Sequence, residues 1–118
     1  MAQIQDRTFE FACEIVRLHD DLLKRRGAVR VLSNQLLRSG TSLGANLEEA
    51  TGAQSKPDFV SKCRIALKEA RESHYWLRLI AATTSVQPGS LKPLVREANE
   101  IVAVLTSIVR KATKPEKK

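Results

Sequence analysis

Apolar residues return every three or four positions along nearly the whole chain, the period that lays one face of an α-helix against a core. In a first stretch, 6–26, Phe11, Ile15, Leu18 and Leu22 share that face, flanked by Ala12 and Val16. Asp6 is its expected N-cap and Gly27 its expected stop. A second stretch, 29–52, carries Leu32, Leu36, Leu43, Leu47 and Ala50 on one side, with Ser39 filling the gap in the series. The third, 56–83, opens on S55-K56-P57-D58, a hydroxyl cap followed by a first-turn proline and an acidic residue. Phe59, Cys63, Ala66, Ala70, Ser73, Leu77 and Ile80 then alternate spacings of four and three, until TTSVQPGS breaks the pattern. The fourth, 91–112, has the clearest stripe: Leu91, Leu94, Ala98, Ile101, Leu105, Ile108 and Ala112, broadened by Val95, Val102 and Val109.

No segment alternates with period two, and the linkers are short. The expected fold is all-α, an up-down antiparallel four-helix bundle over residues 1–113 with a basic disordered tail at 114–118. At 118 residues the chain is long enough to close one core without staples. Composition agrees, since aromatics are only 4% while good helix formers are plentiful. No apolar run approaches the roughly 20 residues that span a bilayer, and the opening MAQIQDRTFEF lacks the apolar core of a signal peptide. The expected location is therefore the cytoplasm, with no membrane partner. Cys13 and Cys63 fall inside helical patterns, away from metal or redox spacing. The net charge of +7 and the pI near 9.9 permit attraction to an acidic partner such as nucleic acid.

Two catalytic readings compete with a binding role. G40-T41-S42-L43-G44 matches the G-x-S-x-G pattern of a nucleophile elbow, and Asp58 and His74 complete the order of a triad. That motif requires a strand before the serine and a strained turn around it, whereas Ser42 lies inside a continuous helical pattern. A bundle-core metal site is the other option, because Glu48, Glu49, Glu69 and Glu72 fall on adjacent helices. The Glu-x-x-His pairs of di-iron bundles are missing: position 71, before His74, is Arg, and position 16, before His19, is Val. No enzyme activity, cofactor or metal is expected. His19 is placed at the wet end of the first helix and His74 beside the third helix's apolar stripe.

The same segment reads better as a packing seam. Ser39, Ser42, Asn46 and Glu49 share one helical face, and Gly40 and Gly44 form a neighbouring stripe of small residues. Two mid-helix glycines cost roughly 1 kcal/mol each relative to Ala, tolerable where another backbone comes close. The polar face needs partners if buried, and Arg38, Lys68 or Arg71 are the expected ones for Glu49.

QLLRSGTSLGANLEEA, then AQSKPDF, then KCRIALKEARESHYWLRLI resemble the four-helix-bundle family named after 23S rRNA intervening sequences. The accessory proteins of bacterial diversity-generating retroelements are similar to that family. The resemblance covers nearly the whole chain and is densest at 35–80. It implies a bundle that assembles into a ring, typically of five subunits around a central channel, without catalytic activity. In the retroelement branch it implies a basic ring that binds nucleic acid and partners a reverse transcriptase. This chain is closer to the general branch, so a reverse transcriptase is expected only if the gene lies beside a retroelement.

On the third helix, Arg64, Lys68, Arg71, Tyr75 and Arg78 recur at four, three, four and three, a line of cations with one ring interleaved. Such a line suits phosphates and a stacked base, with a solvated or internally paired face as the alternative. Trp76 is the expected anchor of a subunit interface, since Tyr75 and Trp76 cannot both enter one narrow core. The expected function is a homo-oligomer that binds RNA or DNA through the third helix. The alternative is a protein–protein scaffold without nucleic-acid binding.

Overall fold

The computed structural model describes residues 1–86 and 88–115. Four helices follow one another: α1 (Ala2–Leu22), α2 (Ala28–Thr51), α3 (Lys56–Thr83) and α4 (Pro88–Thr113). No strand occurs among the described residues. Each helix lies against the next, and α4 returns to α1 through a lighter contact. Paired contacts fix the directions. Gly40 of α2 meets Ile15 of α1 while Gly44 meets Thr8, and Ser39 meets Ser73 of α3 while Glu49 meets Lys62. Both pairs of helices therefore run antiparallel.

The apolar stripes close on one another. Phe11 and Ile15 of α1, Leu36, Leu43 and Leu47 of α2, Leu77 and Ile80 of α3, and Leu91, Ile101 and Leu105 of α4 are all buried. Each such side chain contributes about 1.5–3 kcal/mol of transfer free energy. The domain measures 57 × 21 × 21 Å, with a radius of gyration of 15.3 Å. A rounder domain of this length would have about 13.5 Å. The rod shape gives every helix one long solvent-facing flank.

The helix ends follow the local chemistry, with differences from the sequence reading. α3 starts as expected: Ser55 is the N-cap and its Oγ accepts from the Asp58 backbone N–H at 3.2 Å. α1 begins four residues before the expected start, because Ile4 and Thr8 are buried and draw the first two turns into the core. Asp6 is an exposed residue inside the helix, past its first turn, and Met1 holds the cap position. Gly27 does not stop α1, which ends at Leu22; it caps α2 at φ +89°, a left-handed value that favours glycine. α4 starts at Pro88 rather than 91, where a proline loses no helical hydrogen bond. Of the expected basic tail, Lys114 and Pro115 are exposed beyond α4, and residues 116–118 lie outside the described residues.

The two glycines of the α2 seam are not equivalent. A Cβ at Gly40 would stand 3.0 Å from Ile15 Cγ2 and 3.1 Å from Cγ1, against a stiff β-branched side chain that is itself fully buried. At Gly44 the nearest atom would be the Thr8 carbonyl oxygen at 3.6 Å, an ordinary contact. Gly40→Ala should therefore lower stability, the overpacking cost of about 1–3 kcal/mol outweighing the gain in helix propensity. Gly44→Ala should hold or raise stability by up to about 1 kcal/mol. Urea unfolding of the two variants checks the contrast, and equal effects would contradict it.

Candidate functional site

α3 presents a regular row of exposed cations. Its inner face is committed to Cys63, Ala66, Ala70, Ser73, Leu77 and Ile80, all buried. The opposite face is thereby turned outward, and Arg64, Lys68, Arg71, Tyr75 and Arg78 are all exposed along it. The Arg78 guanidinium lies 5.9 Å from the centre of the Tyr75 ring, within cation–π range. Lys56, about two turns before Arg64, is exposed as well.

What makes this surface positive is where the acids go. Glu69 and Glu72 of α3 turn toward α2, where Arg38 reaches Glu72 at 2.7 Å and Glu69 at 3.5 Å. Glu97 and Glu100 of α4 turn toward α1: Arg7 Nε donates to Glu97 at 3.1 Å and its Nη2 to Glu100 at 2.8 Å. Both guanidinium pKa values rise above the ordinary range, chiefly through the hydrogen bonds to Glu72 and Glu97 respectively. Arg64, Lys68, Arg71 and Arg78 form no ion pair among the described residues, and neither do Lys92 and Arg96 on α4. Two arginines on the far side of the bundle thus withdraw four carboxylates from the α3–α4 flank.

The polar face of α2 divides by depth. Ser39 is fully buried and lies 2.9 Å from Ser73 Oγ. Each hydroxyl also has a carbonyl of its own helix in reach, Leu36 for Ser39 at 3.3 Å and Glu69 for Ser73 at 2.9 Å, so either serine can donate to the other. Ser42 and Asn46 are half-buried and satisfy each other: the Asn46 amide donates to the Ser42 carbonyl at 2.9 Å and to its Oγ at 3.1 Å. Glu49 is exposed, and its partner is Lys62 at 2.7 Å rather than Arg38, Lys68 or Arg71. The Lys62 pKa is raised by that hydrogen bond. Arg38 belongs to Glu69 and Glu72 instead.

His19 also differs from its expected place. It is buried, with Nδ1 2.8 Å from Ser33 Oγ, and joins α1 to α2. Trp76 is half-buried against the core, edge-on to Tyr75 with ring centres 5.1 Å apart. Its indole Nε1 is buried and has no acceptor among the described residues. Tyr75 is the more open of the two rings, 49% exposed. Lys92 and Arg96 extend the basic flank onto α4, and the sequence reading missed them. Their four-residue spacing was visible, but not that the helix's rotation turns them toward α3. No three of His, Cys, Asp and Glu converge as a metal site would require among the described residues. No helix among them is long and apolar enough to cross a membrane.

A family model described as 23S rRNA-intervening sequence protein matches residues 2–107. Among solved structures, the chain is similar to a protein of unknown function from the S23 ribosomal protein family of Bacteroides thetaiotaomicron. The two are 42% identical, with a TM-score of 0.83 over 91% of this chain and 98% of that one. No curated protein matches.

Glu69 offers a test of the acid placement. Burial raises its pKa above the ordinary 4.5, with a further rise from Glu72, opposed by Arg38 and Lys68. A carboxyl with a raised folded-state pKa adds stability below pH 4.5 and loses it as pH climbs through the folded value. Relative to wild type, Glu69→Gln should therefore gain stability progressively from pH 4.5 to 7. Urea midpoints at several pH values read this difference, and a pH-independent offset would contradict it.

Proposed function

The chain belongs to the 23S rRNA-intervening sequence protein family, and from that premise we propose a non-catalytic homo-oligomer that binds RNA or DNA through the outer face of α3. The observation that carries this reading is the withdrawal of Glu69, Glu72, Glu97 and Glu100 to Arg38 and Arg7. It leaves a row of cations that form no ion pair among the described residues, and a polyanion would supply their partners. Phosphates released from their counterions by such a row give affinity that does not depend on base sequence. Tyr75 adds an exposed ring on which a base can stack.

The assembly we propose is a ring, with five subunits as its expected number. Exposed Phe9 and Val31, each 64% accessible, support self-association, since large apolar side chains on a surface favour burial against another chain. Trp76 contributes the open part of its ring to that contact. A ring multiplies one modest basic row into several that a single polymer meets at once, which raises avidity. The activity is binding only: Ser42 sits mid-helix with its Oγ taken up by Asn46 of the same helix. The site of action proposed is the cytoplasm, with a reverse transcriptase as partner only beside a retroelement.

Native mass measurement should give a multiple of 13.1 kDa. Binding of a labelled oligonucleotide should weaken steeply with salt, and Arg64→Ala and Arg71→Ala should each reduce the salt slope by about 1 while weakening binding to every sequence alike. Absence of binding at low salt, with a specific protein recovered after nuclease treatment, would replace this reading with that of a protein scaffold.

A further inference from the structure

Beyond the α3 row, the flank contains a groove between the last turns of α3 and the first turns of α4. Its volume is about 490 Å³, inside the roughly 300–1,000 Å³ range of small-ligand clefts. The floor is apolar: Leu91 is fully buried, and Val95 and Ala81 are half-buried beside it. The rim is cationic, formed by Arg78 from α3 and by Lys92 and Arg96 from α4, all exposed and none in an ion pair among the described residues. A carboxylate-free rim over an aliphatic floor suits a ligand with an anionic end and a flat, weakly polar body.

Two further groups face the same space, His74 and Asn99. Burial, and then Arg78, lower the His74 pKa from its ordinary value, which favours the neutral imidazole with one donor and one acceptor. The Asn99 amide offers both as well. These are groups that can meet the edge of a base, in addition to the cations that meet its phosphate. Arg78 is shared: its guanidinium lies by Tyr75 of the α3 row and also lines the groove. The row leads into the groove without a break.

We propose that this groove seats one unpaired nucleotide of a single strand, its phosphate against Arg78, Lys92 and Arg96 and its base over Leu91 and Val95. The inference rests on the nucleic-acid reading of the α3 row and adds to it a preference. Bases in a duplex are stacked and paired inside it and cannot enter a groove between two helices. A row of cations alone accepts either form.

The test compares a labelled single-stranded 20-mer with the duplex of the same length, in RNA and DNA forms, by fluorescence anisotropy at low salt. Wild type should bind the single strand roughly tenfold more tightly than the duplex. The double variant Lys92→Glu, Arg96→Glu should bring the single strand down to the duplex level, whereas Arg64→Glu, Arg71→Glu should weaken both together. All four side chains are exposed, and unchanged circular dichroism confirms that the variants fold. If the groove variant keeps the single-strand preference, or weakens both forms equally, the groove proposal is overturned and the α3 row stands. If wild type binds neither form, both readings fall together.

Discussion

Ser39 and Gly40 are consecutive residues that face different neighbours. The Ser39 hydroxyl meets Ser73 of α3 at 2.9 Å, and Gly40 meets the branched carbons of Ile15 on α1, where even one methyl would stand at 3.0 Å. The registers of three helices are therefore tied together within one peptide unit of α2. Hydrophobic stripes alone tolerate sliding by a turn, because one leucine replaces another at similar cost. A buried hydroxyl that needs its partner and a glycine that admits only one side chain do not.

That register decides the electrostatics. With Ser39 opposite Ser73, Arg38 lies across from Glu69 and Glu72, and Lys62 lies across from Glu49. On the other side Arg7 closes the weakest seam of the bundle, between α1 and α4, by holding Glu97 and Glu100. Exposed ion pairs add little stability, typically below about 1 kcal/mol each. Their larger effect here is spatial, since they hold four carboxylates along two seams, away from the exposed cations of the α3–α4 flank. The exposed cations of that flank therefore stand together with four carboxylates of the same helices held aside, a local arrangement that favours an anionic partner.

Much of this was legible in the sequence. The four stripes located all four helices, and the Ser55, Pro57 and Asp58 cap fixed the start of α3, because capping chemistry is local. The outward row from Arg64 to Arg78 followed from the spacing of the inward one. What local pattern could not supply were matters settled by packing. Nothing in the sequence around Gly27 says whether a glycine between two helices stops the first or caps the second. Nothing around His19 reveals that Ser33 waits across the interface, nor around Glu49 that Lys62 rather than Lys68 is in reach. Lys92 and Arg96 could be assigned to a flank only once the rotation of α4 about its axis was known.

Trp76 has a consequence of another kind. It is the chain's sole tryptophan, its indole nitrogen is sealed from solvent without an acceptor among the described residues, and the sole tyrosine lies beside it with ring centres 5.1 Å apart. A tyrosine ring this close to an indole transfers its excitation to it. Both rings stand on the helix that carries the basic row, so the molecule holds a native optical reporter at that surface. Emission from that pair is a label-free reading of the environment on this side of α3.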